Sequence, residues 1–420
     1  MILSKRMYYR RLYKVMMVIG VFISVGIPIA NQYVFHIDII NTACRYLFIF
    51  LLTVVMLVFV ISMIKYRGIK GYYLNTKLID SLETNLIAIG AYTQPENKSF
   101  AVLPVIRTKG NTIRIRMDNL KIRTAIEKYL ASFSTALPDR YVVEDYYISQ
   151  NGMEVVIEYE DLKSYIPENY TISDYLRKIQ SIAPQEIYFD KKHIVDISDY
   201  PHWLISGSSG SGKSYLTNEL LIQAVVKNWK IVVCDLKRSY GIYRRYIDYA
   251  YEPEDILIKL QEVETEMQQR LEKMQSQLDI NPRTLAADVG YKPMMVIIEE
   301  YISLQASLSK KDKEELERVV KNISVLARQA SIHLIMVMQS AGTENISATT
   351  RSNLAKVLLG NAQSNIKSAT FGTGVDIPYH NCKLSKGEGL IQLERITLLR
   401  VPKINDLDVF NDAIGVLRKE

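Results

Sequence analysis

The sequence predicts an α/β fold with a mostly parallel sheet, preceded by a small α/β domain and two N-terminal transmembrane helices. From about Ile187 onward, apolar runs alternate with long helical stretches, the pattern of strands and crossover helices in a parallel sheet. Before that point, alternating strands are mixed with amphipathic helices, and residues 1–70 contain two long uncharged stretches. We therefore expect three parts: a membrane anchor (1–70), an accessory α/β domain (71–183) and a larger α/β domain (184–420).

The membrane anchor contains two stretches without a charged side chain, at about residues 15–35 and 46–64. About 20 apolar residues are enough for a helix to cross the hydrocarbon core of a bilayer. Two buried core helices or a cleaved signal peptide are the alternatives. The second stretch is too uniformly apolar for an ordinary core helix, and no clear small-residue cleavage site follows the first. The pattern therefore favours two transmembrane helices.

The charges that flank these stretches predict the orientation of the anchor. Lys and Arg side chains are frequent before the first stretch and after the second, whereas the connection holds only His36, Asp38 and Arg45. Short loops rich in Lys and Arg stay in the cytoplasm. We expect a multi-pass protein of the cell membrane whose two termini and larger domain are cytoplasmic.

The net charge of +7 does not by itself indicate nucleic-acid binding. Residues 1–70 hold nine Lys and Arg side chains and one Asp, so the other 350 residues have a net charge of −1. Any contact with DNA must therefore come from local patches. The three cysteines, Cys44, Cys234 and Cys382, stand at unrelated spacings, which indicates neither a disulfide framework nor a metal cluster.

The accessory domain is expected to contain a strand at Thr112–Met117, a helix at Leu120–Phe133, a hairpin around Asn151-Gly152 and a helix at Tyr170–Ile182. A solvated strand face is the simpler interpretation of a cluster of basic side chains in its first half. Contact with a DNA phosphate backbone is the alternative. The cluster consists of Arg107, Lys109, Arg114, Arg116, Lys121 and Arg123.

The larger domain contains the motif G-x-x-x-x-G-K-S at Gly207–Ser214, the phosphate-binding loop of P-loop NTPases. An apolar strand, His202–Ile205, precedes it and a predicted helix, Leu216–Trp229, follows it, which argues against a flexible Ser/Gly linker. Lys213 would reach the β- and γ-phosphates of ATP, and the Ser214 hydroxyl would bind Mg²⁺. The predicted nucleotide-binding residues are Gly207, Ser208, Ser209, Gly210, Ser211, Gly212, Lys213, Ser214 and Tyr215.

A second apolar strand, Met294–Glu300, ends in two carboxylates, as a Walker B element does at the carboxyl end of a neighbouring strand. We assign Glu299 to Mg²⁺ and Glu300 to the attacking water as general base. The alternative is a helix start that carries two surface glutamates.

The predicted strand His333–Met338 ends in Gln339, which could contact the γ-phosphate or could be a strand-terminal polar residue without a role. Arg328 precedes this strand and Arg351 follows the next loop. Either arginine could act on the nucleotide of a neighbouring subunit, because such arginines stabilise transition-state charge. Surface ion pairs are the alternative. The predicted catalytic residues are Lys213, Glu300, Gln339, Arg328 and Arg351.

Five segments between about Pro201 and Gly389 resemble the FtsK/SpoIIIE family of DNA translocases. Pro201–Gly207 with Gly210–Ser214 is similar to P-H-L-L-I-A-G-x-T-G-S-G-K-S, and Asp235-Leu236-Lys237 to D-P-K. Glu266-Met267 with Arg270 is similar to E-M-x-x-R, Leu326 through Gln339 to G-R-A-x-G-I-H-L…T-Q, and Gly387-Glu388-Gly389 to G-x-G. The resemblance implies a RecA-like P-loop ATPase, a homo-hexameric ring, ATP at subunit interfaces and DNA in the central pore.

The departures from the family pattern narrow the expected function. Glu299 stands where the family usually has Asp, and we expect two spans where chromosome translocases have about four. A winged-helix domain and a long Pro/Gln linker are not found in the sequence. Such a chain resembles TcpA-type coupling proteins of Gram-positive mobile elements. That resemblance implies ATP-driven delivery of relaxase-bound, single-stranded DNA to the proteins of a conjugation channel.

Three other functions remain open at this point. A septal chromosome-segregation translocase has the same chemistry, but the missing sequence-reading domain argues against it. A type VII-like protein-secretion ATPase shares the fold, although such proteins usually carry several motor domains in tandem and one P-loop is found here. A catalytically weak membrane scaffold is the last alternative, for which Glu299 is the one indication.

Overall fold

The computed structural model describes residues 3–34, 38–65, 69–96, 99–138, 141–161, 167–244, 246–276, 281, 283–339, 342, 346–372, 375 and 384–404. The chain divides into two compact units, Met1–Tyr165 and Ile166–Glu420, called here the N-terminal and C-terminal units. The division falls ahead of the expected domain boundary at residue 183. The reason is that Tyr175 and Ile179 are buried in the same apolar core as Trp203 and Leu220.

The N-terminal unit combines long helices with a small antiparallel sheet of order β3-β4-β6-β5. One face of this sheet, carrying Ile113 and Ile157, packs in a common core with Leu82 and Ile126 from two of the helices. The described elements are β1 (Leu3–Ser4), α1 (Lys5–Val34), α2 (Asp38–Lys65), α3 (Ile69–Ala88), β2 (Phe100–Ala101), β3 (Ile106–Lys109), β4 (Thr112–Arg116), α4 (Leu120–Lys128), β5 (Tyr141–Ile148) and β6 (Glu154–Asp161).

Helices α1 and α2 contain the two predicted spans. Within the described residues, Lys5–Tyr33 and Ile39–Ile61 are long and apolar enough to cross a membrane, with mean hydropathies of 2.0 and 2.6. Only 6% of the most apolar stretch of each helix is buried, so large apolar side chains such as Phe22 face outward. The helices extend further than predicted, and α2 already begins at Asp38, in the expected connection. Residues 35–37 lie outside the described part of the chain.

The basic residues before the first span contact α3. Arg6 donates to Glu83 at 2.8 Å and also pairs with Asp80, while Arg10 donates to Asp80 at 2.7 Å. Glu83 is buried and also accepts a hydrogen bond from Ser4 at 2.5 Å. Two of the cations that predict the orientation of the anchor therefore also connect α1 to α3.

The accessory elements agree with the sequence prediction in their main features. The hairpin around Asn151-Gly152 is formed by β5 and β6. The helix that begins at Leu120 ends at Lys128, earlier than predicted, and a tight 3-10 turn, Leu130–Thr135, follows it. In that turn Ser134 donates to the Ala131 carbonyl at 2.7 Å, an example of local side-chain bonding that competes with an α-helix.

Half of the predicted basic cluster lies in ion pairs. Arg114 pairs with Glu154 at 3.2 Å, Arg116 with Asp118 at 2.9 Å and Arg123 with Glu127 at 2.8 Å. The simpler interpretation, a solvated and charge-balanced face, therefore describes these three arginines.

The C-terminal unit is built on an eight-stranded sheet of order β12-β11-β13-β14-β10-β15-β16-β17. The described elements are β7 (Asn169–Tyr170), α5 (Ile172–Gln180), β8 (Glu186–Asp190), β9 (His193–Asp196), β10 (Trp203–Gly207), α6 (Lys213–Val226), β11 (Lys230–Asp235), β12 (Asp248–Ala250), α7 (Pro253–Gln275), β13 (Met294–Glu299), α8 (Tyr301–Ser307), α9 (Lys310–Leu326), β14 (Ile332–Met338), α10 (Ala348–Ser352), β15 (Ala355–Leu359), α11 (Ser364–Phe371), β16 (Glu388–Gln392), β17 (Ile396–Arg400) and β18 (Lys403–Ile404).

The sheet is mostly parallel, as predicted. Six neighbouring strands pair in parallel, in the order β12, β11, β13, β14, β10 and β15. Strands β16 and β17 add an antiparallel edge. Apolar cores cover both faces, one containing Leu216 and Leu220 of α6 and the other Leu260 of α7 and Val320 of α9. All parallel strands therefore end at one edge, where ligands of open α/β sheets bind.

Candidate nucleotide-binding site

The phosphate-binding loop connects β10, at the centre of the sheet, to the first turn of α6. Gly207 has a φ of +146°, and a Cβ atom there would lie 2.4 Å from the Leu359 carbonyl oxygen. Gly212 has a φ of +111° and lies against Gly387, whose N–H donates to the Ser211 carbonyl at 3.0 Å. Both positions therefore require glycine, and the loop is held between the end of β15 and the turn that precedes β16.

Lys213 is the first residue of α6, and only 8% of it is exposed. Its ammonium donates to the Gly207 carbonyl at 2.7 Å and to the Ser208 carbonyl at 3.0 Å. Burial lowers the pKa of Lys213, whereas the charges of Glu300 and Glu299 act in the opposite direction. The loop backbone therefore holds one positive charge at the helix N-terminus, where anions are favoured.

A cavity of about 230 Å³ opens above this loop at the carboxyl edge of the sheet. Most of the predicted site residues line it: Ser209, Gly210, Gly212, Lys213, Ser214, Tyr215, Glu299, Glu300 and Gln339. Asp235, Lys237, Ser239, Tyr240 and Lys386 complete the lining. Gly207 and Ser208 provide the carbonyl oxygens that accept hydrogen bonds from Lys213. Ser211, in the same loop, is buried.

Tyr215 joins the cavity to the last described strand. Its hydroxyl accepts a hydrogen bond from the Ile404 N–H at 2.5 Å. Ile404 belongs to β18, which pairs in parallel with β7. Strand β18 therefore fixes the position of this tyrosine beside the phosphate-binding loop.

Glu299 ends β13 and is paired in register with Asp235, the last residue of β11. Both side chains are buried, at 7% and 1% exposed, and Glu299 accepts a hydrogen bond from the Tyr240 hydroxyl at 2.9 Å. Burial raises the pKa of Glu299 to about 7, and the Asp235 charge also raises it, whereas the Tyr240 hydrogen bond opposes the shift. A cation bound beside these two carboxylates would favour their charged forms.

The donors in this cavity are of the type that Mg²⁺ prefers, since Ser214 and Glu299 provide oxygen atoms. Within the described part of the chain, no three His, Cys, Asp or Glu side chains surround one metal position. This fits Mg²⁺ bound to nucleotide, which takes one or two protein ligands together with phosphate oxygens and water. The residues therefore fit the predicted ion.

Glu300 follows β13 in the left-handed conformation, with φ +54° and ψ +48°. A non-glycine residue in this region costs of order 1–3 kcal/mol, and such residues cluster at functional sites. Its N–H donates to the Val337 carbonyl at 2.9 Å, and its Oε1 accepts from the Lys237 ammonium at 2.5 Å. The alternative interpretation, a helix start with two surface glutamates, does not fit Glu299, which is buried at the end of β13. Glu300 does precede the short helix α8.

The strand order differs from the sequence prediction in one respect. β13 is not the immediate neighbour of β10, because β14 lies between them. Glu299 and Glu300 still face the loop because all these strands end at the same edge. β14 lies beside β13, and its next residue, Gln339, is exposed and lines the cavity.

Neither predicted arginine is among the described residues that line the cavity. Arg328 precedes β14, at the opposite edge of the sheet, where it is 58% exposed and lies 3.8 Å from Asp199. Arg351, in α10, donates to the Ala369 carbonyl at 3.2 Å. Neither side chain faces the nucleotide site of its own chain, so any action on a neighbouring subunit stays a prediction.

Part of the C-terminal unit matches a known protein family. Residues 177–288, which include the phosphate-binding loop and the strand that ends in Asp235, match the FtsK/SpoIIIE family. The chain carries an FtsK/SpoIIIE-family ATPase domain. The match covers most of the first half of the C-terminal unit and ends before β13.

Curated relatives of this FtsK/SpoIIIE-family domain include two bacterial DNA translocases FtsK. The Treponema pallidum (strain Nichols) protein is 27% identical over 179 residues, and the Lactiplantibacillus plantarum protein is 28% identical over 178 residues. Each alignment covers 38% of this chain and 22% of the relative. The chain therefore spans about a fifth of the length of these relatives.

A solved structure resembles a larger part of the chain. The monomer form of the pCW3 conjugation coupling protein TcpA with ATPγS matches with a TM-score of 0.54 at 17% identity. The match covers 80% of this chain and 98% of that chain. At this identity the match shows a shared α/β P-loop ATPase fold.

Sequence reasoning missed several residues that line the cavity. Asp235 carries part of the family resemblance but had no predicted role, although a polar residue at the end of a buried strand is the signal that pointed to Glu299. Tyr240 and Lys386 reach the cavity from loops. Their positions depend on loop geometry, for which the sequence provides no periodic signal.

Proposed function

We propose that this chain is a membrane-anchored ATPase that moves DNA, acting as the coupling protein that delivers relaxase-bound DNA to a conjugation channel. The observation that carries the proposal is the cavity in which Lys213, Ser214, Glu299, Glu300 and Gln339 meet. It lies in an FtsK/SpoIIIE-family domain whose curated relatives are DNA translocases. The conjugative role is supported by the TcpA structure, which matches over almost its whole length.

The residues of the cavity have separate roles in this proposal. Lys213 and the loop N–H groups bind the phosphates of ATP. Ser214 and Glu299 would hold Mg²⁺, which neutralises charge on the phosphate oxygens when it is bound. Glu300 orients the attacking water and accepts its proton, and Gln339 contacts the terminal phosphate.

The membrane anchor determines where this chemistry takes place. We propose that α1 and α2 cross the cell membrane, because their apolar side chains are exposed over about the length of a bilayer core. The basic residues before α1 and after α2 favour a cytoplasmic location for both termini and for the ATPase domain. DNA would then be moved from the cytoplasm towards the membrane.

We further propose that copies of the chain form a homo-hexamer around single-stranded DNA. Arg328 or Arg351 would then face the nucleotide of the neighbouring copy. The support for this step is the family resemblance and the absence of both arginines from the described lining of their own chain's cavity.

The test is ATP turnover by the full chain in lipid nanodiscs, measured without DNA, with single-stranded DNA and with double-stranded DNA. Lys213→Ala is the blank, because it removes the charge that binds phosphate. We expect DNA to stimulate the wild-type protein, and single-stranded DNA to do so more strongly. Turnover that does not respond to DNA would contradict a DNA motor and favour a protein-secretion ATPase.

A further inference from the structure

The general base proposed above, Glu300, pairs with a lysine from the turn that follows the neighbouring strand β11. The Lys237 ammonium lies 2.5 Å from Oε1 of Glu300, and no other described side chain donates a hydrogen bond to this carboxylate. The carboxylate is largely buried, with 12% of its side chain exposed, whereas 58% of the Lys237 side chain is exposed. A solvent-accessible cation is therefore bound to the acid that must act on water.

The backbone that carries Lys237 is fixed. The Lys237 N–H donates to Asp235 Oδ1 at 2.9 Å, and the Tyr240 N–H donates to Asp235 Oδ2 at 3.1 Å. The next residue, Arg238, pairs with Glu252 at 2.5 Å and lies over the Tyr251 ring at 4.4 Å. Movement of the Lys237 charge is therefore confined to its flexible four-carbon side chain.

The position of Glu300 is also fixed, by its left-handed backbone and by its N–H bond to Val337. If Lys237 moves away, the carboxylate stays at the cavity and becomes available to a water molecule. Because more than half of the Lys237 side chain is exposed, solvent screens its charge and weakens this ion pair. A phosphate oxyanion, which accepts strong charge-assisted hydrogen bonds, can therefore displace it.

We propose that Lys237 restrains Glu300 until a phosphate oxyanion binds the ammonium and releases the carboxylate. This inference rests on the proposed function, because it gives Glu300 the role of general base. The oxyanion has two possible sources. The terminal phosphate of the nucleotide is one, since Lys237 lines the same cavity as Lys213. A DNA backbone phosphate is the other, since the lysine is accessible from solvent.

The experiment compares Lys237→Met, which keeps length but removes charge, with Lys237→Arg, which keeps charge. Arg238→Met is the matched control, because it removes the adjacent cation, which contacts Glu252 and Tyr251 instead of Glu300. Full chains in nanodiscs are assayed for turnover with and without single-stranded DNA, and for affinity towards fluorescent ATP and ADP analogues. Arg238→Met is expected to behave as the wild type does, and Lys237→Arg, which keeps a cation beside Glu300, is expected to keep the response to DNA and the relative affinities for the ATP and ADP analogues.

The two sources predict different results for Lys237→Met. If DNA releases the lysine, turnover without DNA rises about two- to five-fold, the range expected for an exposed ion pair, and stimulation by DNA shrinks by the same factor. If the nucleotide releases it, affinity falls about two- to five-fold for the ATP analogue and stays constant for the ADP analogue, with DNA stimulation retained.

If Lys237→Met lowered turnover by the same factor with and without DNA, at unchanged nucleotide affinities, the inference would be overturned, because Lys237 would then assist Glu300. Behaviour identical to the wild type would overturn it as well. A wild-type protein that ignores DNA would contradict the proposed function separately, and the nucleotide affinities would still decide the role of Lys237.

Discussion

At the scale of single residues, the site depends on two consecutive glutamates in different environments. Glu299 is a buried strand residue beside Asp235 and accepts a hydrogen bond from Tyr240. Glu300 has left the strand, and its backbone is held in a costly conformation that aims the carboxylate at Lys237. One peptide unit therefore separates a buried carboxylate beside Asp235 from a carboxylate that is paired with Lys237.

This difference predicts distinct defects for two matched variants. Glu300→Gln removes the proton acceptor, so single-turnover hydrolysis should slow by about 10²- to 10⁴-fold while binding of fluorescent ATP stays close to wild type. Glu299→Gln should instead raise the Mg²⁺ concentration needed for nucleotide binding. If Glu299→Gln abolished hydrolysis at saturating Mg²⁺ and Glu300→Gln stayed active, the two roles would be reversed.

At the scale of elements, β10 and β14 are joined at their amino ends by two buried histidines. His202 accepts a hydrogen bond from the Leu334 N–H at 3.1 Å, and the His333 ring lies 5.5 Å from that of Trp229. Burial lowers the pKa of both histidines to about 3, with the neighbouring His333 adding to the shift of His202. Between about pH 3 and 6.5 the unfolded chain therefore binds protons that the folded chain does not.

Stability of the C-terminal unit should consequently fall as the pH falls below about 6.5, by up to about 1.4 kcal/mol per pH unit for each histidine. Fluorescence-monitored unfolding of the full chain tests this, because both tryptophans, Trp203 and Trp229, are buried in this unit. His333→Phe keeps a ring against Trp229 and should give a shallower pH dependence. Equal slopes for the variant and the wild type would contradict this account.

The elements also show what the sequence predicts and what it leaves open. The P-loop motif places Lys213 after the loop that follows one strand, and apolar runs place Glu299 and Gln339 at the ends of two others. The parallel sheet brings these positions together because its strands all end at one edge. The insertion of β14 between β10 and β13 is not predictable from periodicity, which carries no information on strand order. Tyr240 and Lys386 come from turns whose paths depend on tertiary contacts such as that of Gly387 with Ser211.

At the scale of the whole molecule, the chain joins two units of different chemistry. The N-terminal unit carries exposed apolar helices and a small antiparallel sheet, and the C-terminal unit carries the FtsK/SpoIIIE-family ATPase domain. Composition alone predicts the anchor, because an uncharged, apolar stretch of about 20 residues is typical of a transmembrane helix. The boundary near residue 166 was harder to predict, since α5 lies ahead of the apolar runs that begin near Ile187 but packs in the core of the C-terminal unit.

The proposed function requires that ATP hydrolysis in this cavity moves DNA. The most direct measurement is displacement of streptavidin from the biotinylated end of single-stranded DNA by the full chain in nanodiscs, compared with Lys213→Ala. We expect displacement that requires ATP, depends on which end carries the biotin and is abolished in the variant. Wild-type protein that hydrolyses ATP but displaces streptavidin no faster than Lys213→Ala would contradict it.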